Sequence, residues 1–268
     1  MGRMIEWNVD PELVRFGPIA IRYYSLAFIL GFFLGDRYCS HYLCKDRGFT
    51  KDDMASLVYY AIAGTIIGAR LGHCLFYEPA YYLSNPIQIL YVWKGGLASH
   101  GGFLGVIIAL HLFRKRVKDT PFLPLLDLLA APSLMTGGFI RLGNLMNSEI
   151  VGMPTDGTWG FIFKRIDDIP RHPAQLYESL GFLTISAIGY LLYKKFHKTA
   201  APGRFLGYIF TAGFSWRFFV EFFKENQVAF EQGMTLNMGQ LLSIPMIIAG
   251  IVLMVRKPKQ AAVAAKSK

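Results

Sequence analysis

From residue 19 onward the chain alternates long apolar blocks with short clusters of charge. A helix rising 1.5 Å per residue needs roughly 20 residues to cross a hydrocarbon core of ~30 Å. Seven blocks satisfy that length with some tolerance, at about 19–37, 56–77, 97–113, 121–146, 173–193, 204–223 and 237–255. Several are interrupted by glycine, which a membrane helix tolerates when neighbours satisfy its backbone. The stretch Pro79 to Trp93 is aromatic and amphipathic but too poor in apolar residues to span, so it is expected along the membrane interface. Between the fourth and fifth blocks, Ser148 to His172 carries Gly, Pro, Thr and Asp with Trp159, Phe161 and Phe163 alternating, which predicts a small β-structured element outside the membrane. The pattern predicts an all-α polytopic membrane protein with about seven transmembrane helices and a small external loop domain.

Composition agrees. Hydrophobic residues make up 53% of the 268 and charged residues 17%, below the roughly 25% of soluble domains. The formal charge of +10 does not point to nucleic acid, because the basic residues lie in clusters between apolar blocks. With seven spans, the loops 36–55, 114–119 and 194–204 and the C-terminal tail fall on one side and hold 17 of the 28 Lys and Arg residues. The positive-inside rule then puts the N-terminus outside and the C-terminus in the cytoplasm. No cleavable leader is evident in Met1 to Pro18, so the first span is expected to direct insertion. Residues 1–256 read as one integral membrane domain with its head element at about 148–172, and 257–268 as a disordered basic cytoplasmic tail. The three cysteines, Cys39, Cys44 and Cys74, form no paired framework. In this topology Cys39 and Cys44 are reached from the cytoplasm and Cys74 from outside.

Four arginines, Arg22, Arg70, Arg141 and Arg217, fall in or at the edge of the apolar blocks. A central arginine costs about 2.5–3.5 kcal/mol on insertion scales, so each calls for a partner or a ligand. Arg22 can snorkel, and Arg217 stands one helical turn before Glu221, with which it can pair. Arg70 lies between Gly68 and Gly72, which allow close helix approach. Arg141, Asn144 and Asn147 recur at three-residue spacing on one face, with Glu149 and Gly152 following, and form the wall of a polar cavity rather than a lipid-facing surface. His100 is flanked by Ser99 and by Gly101 and Gly102, and an imidazole can accept a proton near neutral pH. His172 and Pro173 open the fifth block, where Gln175, Tyr177 and Glu178 either orient the arginines or cap the helix. Asp127, an acid deep in a block, is expected to pair near the cytoplasmic side. No metal-ligand spacing occurs, so no metal is expected.

Taken together these runs resemble the bacterial prolipoprotein diacylglyceryl transferase family. The likeness rests on R-L-G-N-L-M-N-S-E-I-V-G from Arg141 to Gly152, on His100-Gly101-Gly102, and on H-P-A-Q-L-Y-E from His172 to Glu178. It extends to R-F-F-V-E-F-F from Arg217, to M-G-Q-L-L-S-I-P-M from Met238 and to Tyr24 in the first block. Two departures stand out: Gly213 replaces a frequent tyrosine, and Ser148 a frequent glycine. The resemblance implies transfer of diacylglyceryl from phosphatidylglycerol to the lipobox cysteine of prolipoprotein signal peptides, in the bacterial cytoplasmic membrane, with release of glycerol phosphate and no cofactor. It implies catalytic roles for His100, Arg141 and Arg217, with His100 taking the thiol proton. Substrate-binding roles fall to Tyr24, Arg70, Asn144, Asn147, Glu149, Gly152 and Glu221. The alternative is a membrane transporter of an anionic lipid or solute, which shares intramembrane arginines but usually shows a repeat between halves; no such repeat is visible.

Overall fold

The computed structural model describes residues 3–17, 19–225 and 233–256. It is mostly helical. The helices are α1 (Tyr23–Arg47), α2 (Lys51–Phe76), the short α3 (Pro79–Ser84), α4 (Ser99–Arg116), α5 (Phe122–Met146), α6 (Ala174–Phe196), α7 (Arg204–Val220) and α8 (Met238–Val255). Among the described residues, α2, α5, α6 and α8 are long and apolar enough to cross a membrane. Large apolar side chains such as Ile67, Leu75, Leu191, Ile248 and Val252 stand exposed on these helices, an arrangement that suits lipid and not water.

The chain forms two compact units, one from Asp36–Leu125 and one from the described residues up to Gly35 and from Leu126 onward. In the first, α2 and α4 lie backbone to backbone. Gly64, Gly68 and Gly72 recur every fourth residue along α2 and face Gly101 and Gly105 of α4. A Cβ on Gly64 would stand 2.6 Å from the Gly105 carbonyl oxygen, and one on Gly72 2.8 Å from Gly101 Cα. Small residues thus set the helix separation, as in other membrane helix pairs. Thr50 caps α2 reciprocally with Asp53. The 79–93 stretch is not one interfacial helix: Pro86 follows α3, and the chain continues in two 3-10 turns, Pro86–Leu90 and Val92–Lys94.

In the second unit five strands accompany the helices: β1 (Arg3–Trp7), β2 (Glu12–Phe16), β3 (Ile19–Arg22), β4 (Trp159–Phe163) and β5 (Pro170–Arg171). The alternation at 159–163 does form a strand, and it is the centre of a sheet of order β1-β4-β5. β1 runs parallel to β4, with Ile5 opposite Phe161. Phe161 and Phe163 pack with Leu145 and Val151, and Trp7 covers them while its indole donates to the Leu145 carbonyl at 3.0 Å. Arg171, buried, grips Asp167 through Nε and Nη2 and reaches Glu225 at 3.2 Å and the Gly152 carbonyl at 3.3 Å. The Arg171 guanidinium holds the Asp167 carboxyl below the usual carboxylate range.

Two expectations change here. The first block begins not as helix but as β3, which pairs antiparallel with β2 around Gly17. Arg22 therefore ends a strand instead of snorkelling from a span; it is exposed and faces Glu12 at 3.5 Å. Asp127 does find a partner, but a backbone one: its carboxylate accepts from the amides of Gly203 at 2.6 Å and Leu206 at 2.8 Å, capping the start of α7. Cys39 and Cys74 are buried, leaving Cys44 as the exposed thiol.

The α2–α4 packing gives a direct test. Gly105→Leu is expected to destabilise the protein by about 1–3 kcal/mol through overpacking, read as a lower thermal midpoint in detergent. Gly102→Ala, whose Cβ meets its nearest neighbour at 3.4 Å, should melt close to the unsubstituted protein.

Candidate functional site

The second unit holds most of the predicted residues and brings two of them, Arg141 and Arg217, onto one carboxylate. Glu178, one turn into α6, has no exposed side-chain surface. Arg141 of α5 approaches it with Nε at 3.0 Å from Oε2, and Arg217 of α7 with Nη1 at 3.7 Å from Oε1. Lys224, just past α7, places Nζ 3.1 Å from Oε2. A buried carboxylate is strongly disfavoured without compensating charge, and here three cations from separate segments supply it.

Glu221 makes the second anionic centre. Arg217 does pair with it one turn on, at 3.4 Å, and Lys224 Nζ lies 2.9 Å away. Its other oxygen accepts from Asn237 Nδ2 at 3.2 Å, and Asn237 also caps α8 with Gln240. The glycine of M-G-Q has a physical reason: a Cβ on Gly239 would stand 2.5 Å from the Glu221 carboxyl carbon.

The polar row after Arg141 continues outward. Arg141 Nη1 donates to Asn144 Oδ1 at 3.3 Å, while Asn144 and Asn147 each donate from Nδ2 to one oxygen of Glu149 at 3.1 Å. The backbone turns sharply to bring Glu149 back, with Ser148 at φ 56° and Ile150 at φ 57° and the Glu149 amide bonded to the Asn144 carbonyl at 2.9 Å. A left-handed φ suits glycine, so Ser148 occupies a position where glycine is unstrained; for β-branched Ile150 the conformation is an outlier. Tyr24 lies against the same helix end, and a Cβ on Gly143 would stand 2.8 Å from its ring. Gly152 is enclosed too: a Cβ there would come 2.6 Å from the Phe223 carbonyl oxygen. The amide of Met153 donates to that carbonyl at 2.9 Å, and Gly152 bridges to Lys224. An open polar cleft of about 640 Å³ adjoins this region, lined by Asn147, Glu149, Asn8, Asp10, Arg22 and Arg165 among others.

Tyr24, Arg141, Asn144, Asn147, Glu149, Gly152, Arg217 and Glu221 thus belong to one unit. Arg70 and His100 belong to the other. Arg70 is buried, its Nε and Nη1 donate to the carbonyls of Ile89 at 2.9 Å and Gly95 at 2.6 Å, and its Nη2 to that of Gln88. Its guanidinium also sits 5.0 Å from the centre of the Tyr82 ring. Its donors are thus engaged in fixing the segment that precedes α4. His100 is in the first turn of α4, and its side chain lies outside the described residues. At the departure from the expected tyrosine, Gly213 faces Leu134, where a Cβ would already stand at 3.3 Å. Trp216 instead covers Gly181 and donates to the Tyr177 carbonyl at 3.0 Å.

Sequence reasoning left Glu178 with two readings, and the geometry selects the one in which it orients the arginines. It singled out neither Lys224 nor Asn237. The usable signal for Lys224 was its spacing, three residues beyond Glu221 on the same face. Among the described residues no cluster of His, Cys, Asp or Glu is arranged to hold a metal ion.

A sequence profile described as prolipoprotein diacylglyceryl transferase matches residues 11–256. The chain is 46% identical to the phosphatidylglycerol–prolipoprotein diacylglyceryl transferase of Tolumonas auensis, over 97% of this chain and 100% of that one. It is likewise 46% identical to the proteins of that name from Chloroherpeton thalassium, over 96% of each chain, and Bacteroides fragilis, over 93% of this chain and 94% of that one. Matches of this extent take in the polar row of α5, Glu178 and Arg217 alike, and the chain belongs to the prolipoprotein diacylglyceryl transferase family.

Proposed function

We propose that this multi-pass membrane protein transfers diacylglyceryl from phosphatidylglycerol to the lipobox cysteine thiol of a prolipoprotein, releasing glycerol phosphate. Family membership and the names of its relatives support the transferase reading. The observation that carries the mechanism is that Arg141 and Arg217, on different helices, converge on the buried carboxylate of Glu178.

The chemistry follows from those charges. The substrate thiol loses its proton and its sulfur attacks the lipid glycerol carbon that bears the phosphate. A carbon–sulfur bond forms, the carbon–oxygen bond breaks, and the electron pair leaves on the phosphate oxygen. The diester monoanion thereby becomes a monoester with more negative charge. Guanidinium groups held in a water-poor site stabilise charge that grows in the transition state. Arg217 is suited to this, because its contacts at 3.4 and 3.7 Å are looser than the usual ~2.7–3.2 Å of hydrogen bonds and leave its donors available. Asn144, Asn147, Glu149 and Tyr24 would form the headgroup wall, Gly152 would keep the turn beside it, and Glu221 would hold Arg217. Arg70 would act by fixing the backbone before α4. His100 is the proposed acceptor of the thiol proton: a free thiol ionises near pH 8.5 and the thiolate is the attacking form. No metal or cofactor is called for by this scheme.

The seven long helices α1, α2 and α4–α8 would all span the bacterial cytoplasmic membrane, N-terminus outside and C-terminus inside. A membrane-impermeant maleimide should then label Cys44 from the cytoplasmic side only; labelling from outside would reverse the orientation.

The activity is tested with purified protein, labelled phosphatidylglycerol and a lipobox peptide, against a Cys→Ser peptide. A labelled thioether product is expected with the first peptide alone, and its absence would sink the transferase reading. Arg141→Ala and Arg217→Ala should each lower kcat/KM on the order of 100-fold or more. Lys194→Ala, at the exposed last turn of α6, should stay near the unsubstituted rate. Near-normal transfer by His100→Ala would remove the histidine from the proton-acceptor role.

A further inference from the structure

The cluster contains a cation that the proposed reaction does not use. Lys224 leaves α7 through the 3-10 turn Glu221–Phe223, and only 3% of its side chain is exposed. Its Nζ stands 3.1 Å from Glu178 Oε2 and 2.9 Å from Glu221 Oε1, closer to each carboxylate than Arg217 comes to either. Its backbone is fixed independently, through the bridge to Gly152 and the bond from Glu225 N to the Val151 carbonyl at 3.4 Å. A long, flexible ammonium is therefore delivered by the main chain to a point between the two buried acids.

Counting formal charges explains what this achieves. Around Glu178 and Glu221 alone, Arg141, Arg217 and Lys224 contribute three positive charges against two negative ones; Glu149, held by Asn144 and Asn147, touches none of these five groups directly. Without Lys224 the two carboxylates would balance the two arginines. Arg217 would then be drawn closer to an internal partner, and those four groups would hold no net charge for an anion. With Lys224 the cluster carries one unmatched positive charge, equal and opposite to a phosphodiester. The looseness of Arg217 fits this account: the ammonium lies nearer to each acid than Arg217 does, and that guanidinium stays at longer range.

We propose that Lys224 is a positioning residue that helps neutralise Glu178 and Glu221, freeing Arg217 to bind a lipid whose phosphodiester bears a single negative charge. This rests on the transferase reading for its substrate and goes beyond it in assigning the binding charge to a residue that does not itself meet the lipid. Lys224 acts on lipid affinity through Arg217, so its effect falls on KM for phosphatidylglycerol more than on kcat.

The test uses the full-length protein in detergent with four forms: unsubstituted, Lys224→Met, Lys224→Arg and the double variant Lys224→Met with Glu221→Gln. Transfer to the lipobox peptide is measured as a function of phosphatidylglycerol, and lipid adducts are counted in parallel by native mass spectrometry. Lys224→Met should raise KM on the order of tenfold or more while kcat falls less, and should carry fewer bound phosphatidylglycerol molecules. Lys224→Arg should stay near the unsubstituted values. The double variant restores the unmatched charge without restoring the side chain, so its KM should drop back toward normal. A residue needed only for packing would not be rescued this way. Equal KM for the unsubstituted and Lys224→Met proteins, or a double variant no better than the single, would overturn the proposal. Lipid adducts that depend on Lys224 in a protein that makes no thioether would sustain it while the transferase reading fails.

Discussion

A carboxylate taken fully out of water must be surrounded by positive charge, and the position of every group that meets this demand is then constrained. Glu178 imposes that condition on the second unit. Its three cations come from α5, from α7 and from the segment after α7, so one buried side chain fixes the register of three pieces of chain against α6. Deleting a member of such a pair strands the others, at about 3–5 kcal/mol. The arginines are therefore placed before any ligand arrives. Charges that are placed in advance need not reorganise during a reaction.

The surrounding fold reads as support for this arrangement. The far end of α7 is capped by Asp127, which sets the helix along its axis. Gly239 lets α8 begin against Glu221, and Asn237 bonds to that carboxylate from the cap of α8. The external sheet has a comparable part. Trp7 bonds to the last turn of α5, and Arg171 ties the Gly152 carbonyl to Asp167 and Glu225. The strained turn at Ser148–Ile150 is thus held from both sides, and it returns Glu149 to the asparagines it joins. Strain of this kind persists only where neighbouring contacts over-determine the backbone.

How much of this was readable in advance depended on the range of each interaction. Among the described residues a long helix overlaps each apolar block, and four of these helices are long and apolar enough to cross a membrane, because length and hydropathy are local properties. The row Arg141, Asn144, Asn147 and the pair Arg217–Glu221 followed from helical spacing alone, and both are present. β4 was legible in the alternation at 159–163. Its partner was not, because β1 pairs with it in parallel from the other end of the chain, and register over that separation leaves no local mark. For the same reason Glu178 could not be told from a helix cap, Lys224 did not stand out, and Arg70 gave no sign that its partners would be backbone carbonyls. His100 stays an inference from motif and imidazole chemistry.

Stability alone does not account for a cluster of five charges in which Glu178, Glu221 and Lys224 are buried. Well-packed apolar residues in place of a buried ion cluster are often neutral or stabilising by 1–4 kcal/mol, so a protein selected only to persist in a bilayer would have little reason to build one. The geometry adds a second argument. A cluster optimised for its own energy would close every guanidinium onto a carboxylate at hydrogen-bond distance, whereas Arg217 is held at 3.4 and 3.7 Å and the nearer place is taken by an ammonium. The loosest member is a planar donor group able to meet a phosphate with two parallel hydrogen bonds, and the tightest is a compact point charge with no such geometry. That division of labour makes sense where Arg217 is kept for a ligand and the lysine for the protein.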